Sequence, residues 1–567
     1  MFRHVLLGCV AATALAVSAA PAVAGKFHNT TKETPDLVLY DGAIFTADKV
    51  HPRAQAIAID GERILAVGSD ASVRKLAGPK TRQIDLKGHT VIPGFNDAHA
   101  HLGIWPANQI NLDQDNYDPA WNDLKDMLAK AVAKAPKGAP ISATIGTTVF
   151  YDTSVDRTAL DAVAPDNPVY LGTFDGHAMI MNSAALKAVG LTDAIKDPVG
   201  GRYERSADGH LNGVIREYAA SVNVSRMMGA AVSDDDAKAA LKAQLTEALH
   251  DGITSVQDMP TSDSPERTVA LLKQIATPVR VRVTRMNRTT ETGRDKVEGL
   301  DIPASPAPLI TANGTKWILD GVIFEGSLTP RGEGVTKSGV AGSPYSFSGL
   351  PVLFSPPEVE AMLRETLKDK RQLQVHVFGT PAATEMLDAM DATGGAKVWL
   401  GKRVRFEHGD GLTPALITRA KAMGIVVSQQ GDHMGIVQIE PKLGDAFQAQ
   451  LKAENAQPLK SLLAADIPLA LGSDGPLNPF MGIMFATLHP DRPEEAISRE
   501  EAVTAYTLGS AYAEFAEKDK GSLEPGKLAD IAVLSQDIFT VAPPDLMKTT
   551  AVITIVDGKI AWDAGAL

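Results

Sequence analysis

Between residues 36 and 92, apolar and polar positions alternate in short runs, DLVLYDGAIFTAD, QAIAIDGERILAVGS and RQIDLKGHTVIPG, broken at Asp-Gly and similar corners. A period of two with such corners predicts short strands joined as hairpins. The same texture returns near the C-terminus in GKLADIAVLSQD and AVITIVDGKIAWD. Residues 36–92 and 521–567 are therefore predicted to combine into one small β-sandwich, a more economical arrangement than two separate β-modules.

The rhythm changes between these ends. Apolar strand-length runs alternate with stretches of period 3.6 such as DDDAKAALKAQLTEALHDG and SPPEVEAMLRETLKDK, the mark of repeated βα units. The strand candidates are HTVIPGFNDAH, GITSVQDM, VRVRVTRM, TKWILDGV, QLQVHVFG, RVRFEHGD, GIVVSQQG and IPLALGSDG. Eight is the number that closes a TIM-type barrel. The expected fold class is α/β: a (β/α)8 barrel over residues 93–520, with residues 104–235 set aside as an insertion after the first strand. That insertion has strand-like pieces of its own, APISATIGTT and NPVYLGTFDGH.

Composition narrows the chemistry. The N-terminus carries Arg3, an apolar run and small residues ending in Ala22-Val23-Ala24, which predicts a secretory signal over residues 1–24 and export to a periplasm. LLGC at residues 6–9 resembles a lipobox but precedes most of the apolar run, so lipidation is not expected. The single cysteine, Cys9, falls in this segment. A mature chain without thiols binds metals through His and carboxylate side chains. Removing residues 1–24 takes away one positive charge, Arg3, and moves the net charge from -13 to -14. Such a balance disfavours nucleic acid and anionic membrane partners, and no later stretch is apolar for long enough to span a bilayer. A homo-oligomer is compatible with these features.

In a βα barrel the active site lies at the C-terminal ends of the strands. Those ends carry His99 and His101, then Lys316, His376, His408 and Asp474. On a strand, residues i and i+2 share a face, so His99 and His101 can aim at one point. Four histidines and a carboxylate at one mouth predict a metal centre, because unrelated histidines would scatter over loops, helices and both barrel faces. His89, His210, His250 and His489 have no arrangement that asks for chemistry.

The motifs PGFNDAHAHL, DGHAMIMNSAAL, DPVGGRYERSADGHLNGVIREYA, TKWILDG, VHVFG, RFEHGD, LGSDGP and LEPGKLADIAVL resemble those of the metal-dependent amidohydrolase superfamily. The likeness is narrower for the branch of YtcJ-like hydrolases and N-substituted formamide deformylase, amidohydrolase family 3. This resemblance implies a divalent cofactor, zinc first, as one or two ions. It makes His99 and His101 ligands of a first metal position, and His376 and His408 ligands of a second. It makes Asp474 both a ligand and the catalytic proton acceptor. Lys316 matches a position where relatives can carry a carboxylated lysine bridging two metals; an ion-pairing or snorkelling lysine is the other reading. Glu217 is the alternative bridging carboxylate or a structural salt-bridge partner. Asp175 and His177 stand for substrate contact or support of the site, or for a simple turn. His433 either faces the pocket or lines a loop.

Two departures bear on substrate. Where relatives read HxxGD after the fifth strand, this chain has His376-Val377-Phe378-Gly379-Thr380, without the acid. The run FEGSLTPRGEGVTKSG after the fourth strand is long and glycine-rich, as a loop over the site would be. The implied activity is hydrolysis of a C–N bond in a small amide, formamide or cyclic amide. An esterase, lactonase or isomerase on the same barrel, or a secreted binding protein without catalysis, are the alternatives.

Overall fold

The computed structural model describes residues 34–567 except 115, 117, 297, 327, 332–342 and 440–443. The expected signal segment, with Cys9, and most of the glycine-rich run after the fourth strand lie outside the described residues.

Eight strands form one parallel sheet whose spatial order follows the chain: β1 (Phe95–Ala100), β2 (Ile253–Asp258), β3 (Arg280–Met286), β4 (Ile310–Ile318), β5 (Gln372–Val377), β6 (Arg405–His408), β7 (Val426–Gln430) and β8 (Leu469–Gly472). All eight overlap the runs read from the sequence, although the first run also contains Thr90–Pro93 of another sheet and the fourth strand begins before TKWILDGV. β1 and β8 meet at the seam: Asp474 N donates to His99 O at 2.8 Å, and Ser473 N donates to Asp97 Oδ1 at 3.1 Å. A side chain at Gly472 would collide with the His99 backbone 2.4 Å from its Cβ, so this close approach requires glycine.

The alternation in VRVRV, QLQVHV and RVRFEH has a meaning particular to a barrel. Val281 and Val283, Leu373 and Val375, and Val404 and Phe406 join the main apolar core around the barrel. The alternating polar residues face one another inside it. Gln257 Oε1 accepts from both Arg282 Nη1 and Arg405 Nη1, and Arg282 Nη2 donates to Gln372 Oε1 at 2.9 Å. A buried polar network of this kind holds a specific geometry only while its members stay paired.

Residues 110–216 build a separate six-stranded sheet, ordered Arg202–Arg205, Leu211–Arg216, Met179–Met181, Val169–Thr173, Ile141–Ile145 and Ile110–Asn111. Apolar clusters cover it, one including Leu124, Leu128 and Phe150, the other Tyr203, Ile215 and Val224. The chain returns to the barrel through α1 (Glu217–Ala230) and α2 (Asp234–His250), the latter capped by Ser233 with three aspartates in its first turn. At the chain ends, a four-stranded sheet of residues 37–85 packs on a six-stranded sheet. That second sheet combines Ala43–Phe45, Arg53–Ala54 and Thr90–Pro93 with Ile531–Leu534, Ala551–Val556 and Lys559–Asp563. Ile57, Ile59, Val91, Ile531 and Ile553 share the core between them. Thr90–Pro93 runs directly into β1 and so ties the sandwich to the first histidine pair. No helix among the described residues is long and apolar enough to cross a membrane.

Candidate metal centre

Among the described residues, two groups of donors lie at the barrel mouth: His99, His101 and Asp474, and His408, His433 and Asp474. Within each group the donor atoms lie within 4.8 Å of one another. Local backbone features aim them. A register shift between Asp97 and Ala100 marks a bulge in β1. Ala98 packs with Val426 and Ala470 of neighbouring strands, while His99, the next residue, also reaches Glu407 on β6. Redirecting a side chain is what a bulge does. His408 and Asp474 take left-handed backbone angles, with φ of 70° and 56°. Such a conformation costs a non-glycine residue roughly 1–2 kcal/mol, and it turns the chain off the barrel wall directly at the donors.

The hydrogen bonds at the far side of each ring decide what the near side offers. His101 Nδ1 lies 2.6 Å from the Met259 carbonyl oxygen, which can only accept, so Nδ1 carries the proton. His99 Nδ1 donates to Glu407 Oε2 at 2.8 Å. Burial pushes the His99 ring down to about 4, keeping it neutral. Both Nε2 atoms face Asp474 Oδ1, at 3.3 Å from His99 and 3.1 Å from His101. Two imidazole nitrogens turned onto one carboxylate oxygen form a donor set in which a divalent cation can take the place of protons. His and carboxylate donors with outer hydrogen bonds of this type suit zinc and its first-row neighbours, so the residues present fit the divalent ion that the sequence implies.

Glu407, which the sequence reading passed over, sets this geometry. It is fully buried and also accepts from Arg405 Nε. Burial would raise its carboxyl, but Arg405, Lys316 and His99 overcome that and hold it down at about 2. A depressed carboxyl contributes stability that is complete above the ordinary 4.5 and lost as pH falls through about 2. In the metal-free protein, the urea midpoint is expected to fall between those values, and this component is expected to be absent in Glu407→Gln.

The second group is built less simply. His408 Nδ1 lies 2.6 Å from Gln430 Oε1 and 3.7 Å from Asp474 Oδ2. His433, stacked on His408 with ring centroids 5.5 Å apart, donates through Nδ1 to Asp410 Oδ2 at 3.1 Å. Burial would lower His433, but Asp410 and Asp432 raise it to about 9, so a cation binding there displaces a proton. The resemblance makes His376 and His408 ligands of a second position: their rings lie 4.4 Å apart, with His376 Nε2 3.3 Å from the Gly321 carbonyl oxygen, and among the described residues His433 also stands beside His408 and Asp474. Lys316 is buried and makes a 3.4 Å contact with Met259 Sδ. Burial pulls its ammonium down to about 8, with Glu407 and Asp474 acting against that.

Asp320, at the end of TKWILD, accepts from Gly379 N at 2.7 Å and from Phe378 N at 3.1 Å. From the insertion side, Asp175 Oδ1 accepts from His177 N at 3.0 Å, and His177 Nδ1 meets Glu217 Oε2 at 3.1 Å. The His177 ring lies 5.4 Å from that of His376. Glu217 is buried with φ of 60°, and its Oε1 has no hydrogen-bond partner. Asp175, His177 and Glu217 thus form one group against the barrel mouth, while neither donor group contains them.

The profile of the amidohydrolase family matches residues 82–561. Among curated proteins, the chain is 29% identical to Protein LONG AFTER FAR-RED 3 of Arabidopsis thaliana, over 92% of this chain and 91% of that protein. It is 28% identical to the N-substituted formamide deformylase of Arthrobacter pascens, over 93% and 98%. Among solved structures, an uncharacterized metal-dependent hydrolase from Pyrococcus horikoshii superposes with a TM-score of 0.64 at 18% identity, covering 90% of this chain and 99% of that one. Atrazine chlorohydrolase from Arthrobacter aurescens, in complex with zinc and atraton, gives 0.52 at 16% identity, covering 93% and 95%. At such identities these structures speak for the fold.

Proposed function

The chain belongs to the amidohydrolase family, and from that premise we propose that it is a metal-dependent hydrolase cutting the C–N bond of a small amide, formamide or cyclic amide. The observation that carries this reading is the convergence of His99 Nε2 and His101 Nε2 on Asp474 Oδ1. The name of the formamide deformylase relative supports the bond type.

His99, His101 and Asp474 would hold the first ion, zinc in this proposal, with His408 and His433 available for a second. When bound, such an ion acidifies water towards neutral pH and polarises a carbonyl oxygen. The chain's own residues do the rest. Asp474 Oδ1 is engaged with the two histidines, which leaves Oδ2 to take a proton from the attacking water and return it to the leaving nitrogen. Burial would raise this carboxyl, but the imidazoles beside it hold it well below the ordinary range, so it is ionised. Glu407 keeps the His99 proton on Nδ1 throughout. Burial draws Lys316 towards its amine form, and in this proposal the amine adds CO2 with loss of one proton and then offers a carbamate oxygen to an ion. We further propose that the protein is exported by means of residues 1–24.

The test is release of amine from a panel of amides and formamides by the mature protein. Dialysis against a chelator is expected to abolish turnover, and zinc or manganese to restore it. Intact mass under native conditions is expected to exceed that of the unmodified mature sequence by one CO2, an excess that is absent in Lys316→Arg measured against its own sequence mass. Turnover that survives complete metal removal, or esters cut far faster than any amide, would reassign the reaction.

A further inference from the structure

Where the insertion meets the turn after β4, a group of carboxyls is buried beside the barrel mouth and belongs to neither donor group. Glu217 opens α1 with its backbone in the left-handed region, a conformation that persists only where the surroundings hold it. Gly321 leaves room for its carboxyl, since a Cβ there would lie 2.2 Å from Glu217 Oε1. Glu325, from the turn after β4, accepts from Glu217 N through Oε2 at 3.2 Å. Both side chains are buried, and among the described residues Glu217 Oε1 and Glu325 Oε1 have no hydrogen-bond partner. The same holds for the phenol oxygen of Tyr151, a residue of the insertion that feels both Glu325 and Asp175.

Positive charge does not balance this group. The Arg216 Nη atoms donate to the carbonyls of Thr329 and Glu325 and, at 3.4 Å, to Glu204, while Nε stands 3.9 Å from Glu325 Oε2. His177 Nδ1 meets Glu217 Oε2. Asp175, Glu217, Asp320 and Glu325 therefore outnumber Arg216 and His177 even when both are charged. Burial, and after it Glu217, pushes the Glu325 carboxyl well above its ordinary range, with Arg216 acting against that. A buried carboxylate is stable only when paired. An ammonium brings three N–H donors and no acceptor, which matches in number the three oxygens left without partners. The group is also reachable: Asp175 is half-buried, and Gly176 beside it is exposed. His177, which follows them, carries the group to the barrel mouth, its ring 5.4 Å from that of His376.

We propose that Glu217, Glu325, Asp175 and the Tyr151 hydroxyl form a subsite for a primary ammonium on the substrate, so that the protein acts on amides bearing an amine away from the scissile bond. The proposal rests on the C–N hydrolase reading above and narrows its substrate class.

The experiment uses the metal-loaded mature protein and compounds that differ in one terminal group. 4-Aminobutanamide and N-acetyl-1,3-diaminopropane carry an ammonium on the acyl and the amine side. Pentanamide and N-butylacetamide replace it by methyl, and glutaramate replaces it by carboxylate. The wild type is expected to favour an ammonium compound over its methyl counterpart by about tenfold or more in kcat/KM, the order of one charge-assisted hydrogen bond. Glu325→Gln is expected to lower that ratio about tenfold, and Tyr151→Phe, which removes a hydroxyl and no charge, about threefold. The second variant serves if the first does not fold, which a thermal melt reads. A wild-type ratio near one for both pairs, a ratio unchanged in the folded variants, or a preference for glutaramate overturns the subsite, the carboxyls then merely carrying protons. Binding of N-acetyl-1,3-diaminopropane by equilibrium dialysis separates the two failures. If no compound is cut, yet binding is saturable and falls about tenfold in Glu325→Gln, the hydrolase reading fails and the subsite stands. Binding that is absent, or equal in both proteins, overturns the subsite.

Discussion

Asp474→Asn is expected to lower kcat roughly a thousandfold, within the 10^2–10^4 range of acid–base groups, while the fold and most of the bound metal remain. The reasoning follows from which oxygen does what. Oδ1 sits 3.1 Å from His101 Nε2 and 3.3 Å from His99 Nε2, and an amide oxygen can still occupy that place. Asparagine has no second carboxylate oxygen, so the group that takes and returns the proton is lost. The backbone at this position already sits at φ 56°, a region asparagine tolerates better than most residues, so misfolding is not expected to confuse the result. Near-normal turnover by this variant, with metal content confirmed, would remove Asp474 from the proton path.

Glu407→Gln is expected to weaken metal binding or activity about 10- to 100-fold, as loss of an outer partner of a ligating histidine does. A glutamine can present its oxygen to Arg405 only by turning its NH2 towards His99 Nδ1. The His99 proton must then move to Nε2, which removes the lone pair that faces Asp474. The opposite orientation sets the NH2 against the Arg405 guanidinium. Either way Arg405, which is fully buried, loses its anion, and breaking a buried pair costs about 3–5 kcal/mol. Metal titration and a thermal melt read the two effects separately. Wild-type affinity together with wild-type stability would show that Glu407 orients nothing.

The barrel was readable because each strand and each helix repeats with its own period. The polar face of those strands was readable too, but its direction was not. In VRVRV and QLQVHV, alternation usually places polar residues in water, whereas here Arg282, Gln372 and Gln374 fill the barrel and the valines meet the helices. The same period contained a signal for Glu407. It alternates with Arg405 on the inward face, directly before His408, and attention to the histidine alone passed over it.

His99 and His101 were legible from i, i+2 spacing, and Asp474 from its place at the end of the last strand. The role of His433 was open in the sequence because it follows β7 in a short helical turn rather than on a strand. Its contact with Asp410, 23 residues away, exists only once the chain is folded. The acid that approaches Phe378 and Gly379 is equally non-local, since Asp320 comes from β4's continuation. The insertion could be located from the break in the βα rhythm, but the mixed strand order of its sheet carries crossovers that no local pattern encodes.

The central claim is that the strand-end donors hold a divalent cation, and elemental analysis of the mature protein after metal-replete expression tests it most directly. The expected result is at least one zinc or other first-row divalent ion per subunit, lost in a protein lacking the His99 and His101 side chains. A second ion is expected if the His408 and His433 group is also filled. A folded protein that binds no metal under those conditions, and none on titration with zinc, would contradict the claim and turn the reading towards a barrel that binds without catalysing.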